Sequence, residues 1–87
     1  MSLITTSVVA ASTATQLFKS TVPAGNQVLI TTHGNSADVR IGASNVTASA
    51  NGVIVPKSSN LQITVPCGET LYVAGNGTDI VQLLAFN

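Results

Sequence analysis

Apolar and polar residues alternate along this chain in short runs. In Leu61-Gln62-Ile63-Thr64-Val65 the alternation is strict, which places Leu61, Ile63 and Val65 on one face of a strand. The same two-residue period turns Val39 and Ile41 inward and Asp38 and Arg40 outward. It also sets Val28, Ile30 and Thr32 on one face, with Leu29, Thr31 and His33 on the opposite, solvent-facing one. Gly, Asn, Ser and Pro recur too often for a helix of ordinary length, and β-branched residues dominate between them. Strands are predicted over 7–11, 16–21, 27–33, 38–42, 52–55, 61–65, 70–74 and 80–86, with turns at a spacing of about 8–12 residues. The pattern is that of an all-β domain: a small antiparallel β-sandwich or jelly-roll-like barrel of about seven to eight short strands.

Within that pattern one unit occurs twice. Thr21-Val22-Pro23-Ala24-Gly25 returns as Thr64-Val65-Pro66-Cys67-Gly68, and each copy leads into an apolar run, a Gly-Asn turn and an Asp, at Asp38 and Asp79. Pro at the second position and Gly at the fourth suit a type I turn in both corners. Asn51-Gly52 and Asn76-Gly77 offer the positive φ angles of tight hairpin turns. Residues 43–51 are small and polar and read as a loop crossing between the two halves. The last strand is apolar on both faces, through Ile80, Val81, Leu83, Leu84 and Phe86, so its outer face calls for a cover. That cover is either the N-terminal segment or a second subunit. The chain divides into an N-terminal arm or edge strand, 1–14, and a single β-sandwich domain, 15–87, that contains the repeat.

Composition changes the picture in one respect. Aromatic residues are 3% of the 87, so the core must be built from Val, Ile, Leu and Ala, with Phe18 and Phe86 as its large members. Charged residues are 7%, against about 25% in ordinary globular proteins, and the net charge is zero. A surface this poor in charge does not repel its neighbours and suits a component of a larger assembly. Lys19, Arg40 and Lys57 are scattered and balanced by acids, so nucleic acid is not an expected partner. No apolar run reaches the roughly 20 residues of a membrane helix. The stretch 3–11 has no preceding Lys or Arg and is interrupted by Thr5, Thr6 and Ser7, so export is not expected.

Candidate chemistry is sparse. His33 is the one side chain with the pKa of a general base, but it falls at a strand end before Gly34, with no nucleophile or carboxylate placed beside it by sequence. Cys67 aligns with Ala24 in the repeated corner, a position that asks for a small residue, and no second cysteine exists for a disulfide. Asp38 and Asp79 read as turn caps acting on their own backbone. Asn45-Val46-Thr47 and Asn76-Gly77-Thr78 match the glycosylation pattern by chance in a chain so rich in Asn and Thr. Tyr72 is the aromatic with a chance of exposure, as a glycan platform would need. No catalytic, metal or cofactor site is expected. Assembly contacts are expected at the N-terminal segment and the last strand, through Leu3, Ile4, Val8, Val9, Val81 and Leu83.

The wording from residue 14 to 86 adds a resemblance. Val22-Pro23-Ala24-Gly25, then Val39-Arg40-Ile41-Gly42-Ala43-Ser44-Asn45-Val46-Thr47, Asn51-Gly52-Val53 and Val65-Pro66-Cys67-Gly68-Glu69-Thr70-Leu71-Tyr72-Val73 resemble small virion proteins of tailed bacteriophages. The likeness is to capsid decoration (cement) proteins and head-fibre-type β modules in particular. It implies a non-enzymatic structural virion protein, without cofactors, that decorates and stabilises a capsid. It further implies a homo-oligomer, a trimer for preference, seated on the major capsid protein and made in the host cytoplasm. The alternative is a tail-associated or host-surface glycan-binding β module.

Overall fold

The computed structural model describes residues 3–87, and they form eight strands. These are β1 Leu3–Val9, β2 Thr15–Lys19, β3 Asn26–Thr31, β4 Val39–Gly42, β5 Val53–Val55, β6 Asn60–Val65, β7 Thr70–Ala74 and β8 Ile80–Phe86. Two four-stranded sheets result, with orders β1-β8-β3-β6 and β2-β7-β4-β5, and every strand pair is antiparallel. The pairings β1·β8, β2·β7, β3·β6 and β4·β5 are nested like the rungs of one long hairpin. The pairs β3·β8 and β4·β7 then roll that hairpin into a sandwich. This is the jelly-roll order within the expected all-β class.

The sequence repeat has a counterpart in this order. Advancing every strand by four positions turns β1-β8-β3-β6 into β5-β4-β7-β2, which is the other sheet read backwards. The repeated unit therefore contributes β2-β3-β4 in its first copy and β6-β7-β8 in its second, and each sheet is the other's equivalent. Alternation supplies the core between them. Val28, Ile30, Val39, Ile41, Val55, Val65, Leu71, Val73, Val81, Leu83 and Ala85 face inward, joined by Leu17, Phe18 and Ala10. Burying each such Val, Ile or Leu side chain stabilises by about 1.5–3 kcal/mol, so aliphatic residues suffice without aromatic mass. Leu17 and Phe18 are adjacent yet both buried, because the β2·β7 register slips between Gln16 and Phe18. A bulge of this kind lets two successive side chains enter one core.

Several expectations need correction. The first strand begins at Leu3 rather than at residue 7, because seven successive residues pair with β8, from Leu3 opposite Phe86 to Val9 opposite Ile80. The N-terminal segment thus lies beside the last strand as an edge and does not cover its outer face. Residues 43–52 join β4 to β5 within one sheet; the chain passes on to the second copy of the repeat through 56–59, and every connection other than 43–52 changes sheet. Phe86 is half-buried on the outer face, since Val81, Leu83 and Ala85 set the inward parity of β8. Positive φ occurs at Asn51 and Gly52, as expected, but at Gly77 without Asn76. Asn76 instead accepts the Thr78 and Asp79 N–H groups at its own side-chain oxygen, at 3.0 and 2.9 Å.

The two repeated corners, 21–25 and 64–68, lie side by side but are not copies in detail. In the first, Gly25 N–H donates to the Val22 carbonyl at 2.9 Å, closing the turn as predicted. In the second, Glu69 N–H donates to the Pro66 carbonyl at 3.1 Å, so the turn is displaced by one residue. Gly68 then occupies the third turn position, where positive φ is required, and has φ +86°. Its N–H is taken instead by the Ser20 carbonyl of the neighbouring corner, at 2.8 Å. Gly25 is also positive in φ, at +77°, but a Cβ there would sit 2.8 Å from the Val65 carbonyl oxygen, whereas a Cβ on Gly68 would meet nothing within 4 Å. Gly68→Ala should therefore cost only the left-handed backbone penalty, about 1–2 kcal/mol. Gly25→Ala should cost at least about twice that on chemical denaturation, because a backbone carbonyl must also move. Equal losses would show that the corner contact does not constrain the fold.

Candidate functional site

The side chains that carry chemistry fall in two places. At one end of the sandwich lie the connections 10–14, 32–38, 56–59 and 75–79; the repeated corners lie at the other. His33 follows β3 and is exposed at the first end. Cys67, also exposed, sits in the corner beside the start of β3, at the opposite end. The six residues of β3 separate the two by roughly 20 Å at about 3.3 Å per residue, so they cannot act on one reacting atom. Among the described residues no three His, Cys, Asp or Glu side chains gather as metal ligands would.

The aspartates hold loops together. Asp79 accepts the backbone N–H groups of Ser36, at 3.1 Å, and Ala37, at 2.9 Å. The Ser36 hydroxyl and the Asn76 amide complete the set, at 3.1 and 3.0 Å. These donors favour the charged form and hold the Asp79 carboxyl below its ordinary value of 3.8, with the Ser36 N–H contributing most and partial desolvation opposing it. Asp38 accepts the Lys57 N–H at 2.9 Å. Both carboxylates were expected to cap their own turns; each instead reaches a different connection, across as many as 43 residues for Asp79. The repeated Gly-Asn-x-x-Asp signal pointed to the residues, but their partners arise only when the sheets are folded.

Backbone bonds extend the stitching. Ala10 N–H donates to the Asp79 carbonyl and Gly75 N–H to the Ala11 carbonyl, at 2.9 and 2.8 Å. Thr32 N–H donates to the Ser59 carbonyl, and the buried Thr32 hydroxyl to the Pro56 carbonyl at 2.6 Å. The four connections are thereby laced in the order 10–14, 75–79, 32–38, 56–59, which is the order of the strands β1, β8, β3, β6 that lie beneath them. A shallow depression between His33, Asn35, Thr78 and Asp79 remains. Its carboxylate is already saturated with internal donors, which leaves it little capacity for a ligand.

The second place is the outer face of the sheet β1-β8-β3-β6. None of its four strands contains a charged residue. All six charged side chains of the chain lie on the other sheet or in connections. Cross-strand rows on this face bring Leu3 beside Phe86, Leu84 beside Leu29 and Val9 beside Ile80. Leu84 and Leu29, with Thr5, Ser7, Gln82 and Thr31 beside them, line an open groove of about 430 Å³. The residues expected to form assembly contacts divide accordingly. Leu3 and Val9 are exposed on this face, at 65% and 49%. Ile4, 45% exposed, and the half-buried Val8 belong to the inward parity of the edge strand. Val81 and Leu83, at 0% and 3%, are core residues and offer no surface; the outward residues of β8 are Ile80, Gln82, Leu84 and Phe86.

No family model and no curated protein matches the chain. Among solved structures it is similar to one described as belonging to Bacillus endospore appendages, a novel family of disulfide-linked pili. The TM-score is 0.62 at 13% identity, over 99% of this chain and 85% of that one. At that identity the likeness is one of fold, and it spans both sheets.

The Asp79 geometry carries a pH dependence. Because its folded pKa lies below the ordinary value, its contribution to stability is complete above the unfolded pKa and is lost as pH falls through the folded one. Asp79→Asn should lower the melting temperature at neutral pH, and the deficit relative to the parent should shrink as pH falls below 3.8. Melting curves recorded from neutral to strongly acid pH test this; a deficit independent of pH would assign the loss to shape and not to charge.

Proposed function

We propose that the chain is a non-enzymatic structural module that works by assembling. The observation that carries this reading is the uncharged sheet β1-β8-β3-β6 with its exposed apolar rows, in a chain whose few charges are spent on loops and on the other sheet. A solitary soluble domain ordinarily keeps charge on every face. The separation of His33 from Cys67 speaks in the same direction. On the motif resemblance, the assembly is the capsid surface of a tailed bacteriophage, where homo-oligomers of the chain would seat on the major capsid protein and stabilise the shell. Electron microscopy of particles made with and without the chain tests this. Surface density present only with the chain is the expected result; particles indistinguishable in the two cases would overturn it.

The likeness to a pilus subunit favours a filament as the second reading. Within these 87 residues disulfide-linked propagation is excluded, since Cys67 is the single cysteine and one thiol joins no more than two copies. A filament of this chain would have to be held by contacts other than disulfides. The glycan-binding alternative finds less support: Tyr72 is half-buried on the outer face of the second sheet, aligned with Gln16 and Gly42. Phe18 is in the core and Phe86 on the other sheet, so no second aromatic joins it in a sugar platform.

Assembly without the thiol has a direct consequence. Cys67→Ala should leave both the melting temperature and the oligomeric mass of the chain unchanged, as the residue is exposed in a turn. A loss of either would give the sulfur a role that its position does not explain.

A further inference from the structure

The four sheet edges are guarded unequally. β2 carries a bulge and ends on Lys19, and β5 is three residues long and stopped by Pro56 with Lys57 after it. Both are ordinary protections against pairing with another chain. β6 is uncharged, but its outward residues Asn60, Gln62 and Thr64 are polar and its apolar ones are half-buried, at Leu61 and Ile63, or buried, at Val65. β1 is different. It has seven residues without charge, Pro, Gly or bulge, and it exposes Leu3, Ile4 and Val9.

Its free backbone groups can be assigned. Ala10 N–H donates to the Asp79 carbonyl directly opposite it, in line with the β1·β8 register. Since antiparallel strands alternate their bonding direction, Ile4, Thr6 and Val8 turn their N–H and C=O groups toward β8, and Leu3, Thr5, Ser7 and Val9 turn theirs to the open edge. The Val9 carbonyl also accepts from Ala11 N–H at 3.0 Å and keeps a second lone pair.

The sequence of this strand, Leu-Ile-Thr-Thr-Ser-Val-Val, reads alike in polarity from either end. We propose that β1 is a self-pairing edge, joining two copies of this chain about a two-fold axis that passes between their Thr6 residues. In that register Leu3 faces the second copy's Val9, Ile4 its Val8, and Thr5 its Ser7. Each pair matches apolar with apolar and polar with polar. The parity is the required one: the pairs Leu3 with Val9 and Thr5 with Ser7 join residues whose backbone groups turn to the open edge, the Val9 carbonyl through its second lone pair, and Thr6 meets Thr6 at a non-hydrogen-bonded position. Registers displaced by one step to either side set Leu3 against Ser7 or Val9 against Thr5, and lose the match. The contact is isologous and unites two uncharged sheets into one of eight strands, extending the apolar outer face across the axis. It closes at two copies; the trimer implied by the resemblance would need a different surface.

This inference takes its direction from the reading of the chain as an assembly module, yet its test is separate, since it concerns the isolated chain. Mass by light scattering, at chain concentrations up to about 100 µM, should show a reversible dimer. Ser7→Pro removes an N–H that the single copy does not use, and should weaken the dimer at least about tenfold with the fold retained by circular dichroism. Should that variant fail to fold, Thr5→Lys with Ser7→Lys, which opposes like charges at the central pairs, should dissociate it, while Thr5→Lys with Ser7→Glu should not. Thr6→Cys in a Cys67→Ala background should oxidise to a covalent dimer, because facing residues at a non-hydrogen-bonded pair lie about 4.5 Å apart at Cα. A parent chain that is monomeric throughout overturns the inference and leaves the particle experiment unaffected. A dimer that survives both edge variants and does not cross-link through position 6 overturns it equally.

Discussion

Two corners of the chain, 43 residues apart in sequence, must lie against each other for the sheets to close, and the structure depends on that contact. Ser20 is its centre. Its carbonyl accepts Gly68 N–H at 2.8 Å, its N–H donates to the Glu69 carbonyl at 3.1 Å, and its hydroxyl meets the Asn26 side-chain oxygen at 2.7 Å. Ser20 and Asn26 are buried, at the two ends of the first corner, so these polar groups have no water to fall back on. The contact fixes β2 beside β7 and β3 beside β6 together, and those pairs are the two middle rungs of the nested hairpin. With them set, β8 has one vacant place beside β3 and β1 one beside β8.

The pseudo-symmetry of the fold is accordingly strict in strand order and loose in detail. Both corners must pass from one sheet to the other in a few residues, and Pro followed by Gly serves that need twice. Yet the close approach forces Gly68 to give its N–H to Ser20, and the second turn shifts by a residue to compensate. The opposite end shows the same division. Asp38 and Asp79 follow matching turns, but Asp38 reaches the 56–59 connection and Asp79 the 32–38 connection. An exact two-fold would have sent Asp79 to 10–14. There the backbone of Ala10 and Ala11 already satisfies the neighbouring groups, which leaves the carboxylate free to turn the other way.

How far the chain could be read beforehand follows from the range of the interactions involved. Alternation is local, and it placed Val28, Ile30, Val39 and Ile41 in the core correctly, along with the strand character of all eight elements. Phe86 went astray through size: a large aromatic was assigned to the interior although Gln82, four residues earlier on the same parity, marks that face as the outer one. Val81 and Leu83 were counted as surface for the same reason, since a run rich in apolar residues hides which parity is inward until a neighbouring strand decides it. The aspartate partners were not legible at all. A carboxylate four residues beyond a turn looks like a cap, and only the finished sheet order brings Ser36 and Ala37 to Asp79. The scarcity of charge was visible in composition, but its complete absence from the strands of one sheet required knowing which strands share that sheet.

That absence has a physical reading of its own. Charged side chains are the cheapest guard of a sheet, because one ammonium or carboxylate at an edge or on a face makes burial there costly. This chain has six charged residues and places none on β1, β8, β3 or β6. Asp38 and Asp79 are engaged in lacing loops, Lys19 stands on the bulged edge β2 and Arg40 on the outer side of β4. If low charge were only a compositional habit, the scarce residues would be expected on both sheets, since the fold makes the two equivalent. Equivalence of backbone with inequivalence of charge distinguishes the two sheets: the strand-borne charges, Lys19 and Arg40, both fall on one of them. The sheet β2-β7-β4-β5 has edges that are shortened, bulged or charged, although Val53 and Ile54 on β5 are exposed; the sheet β1-β8-β3-β6 retains an unguarded edge and exposed apolar residues at Leu3, Val9, Leu29 and Ile80.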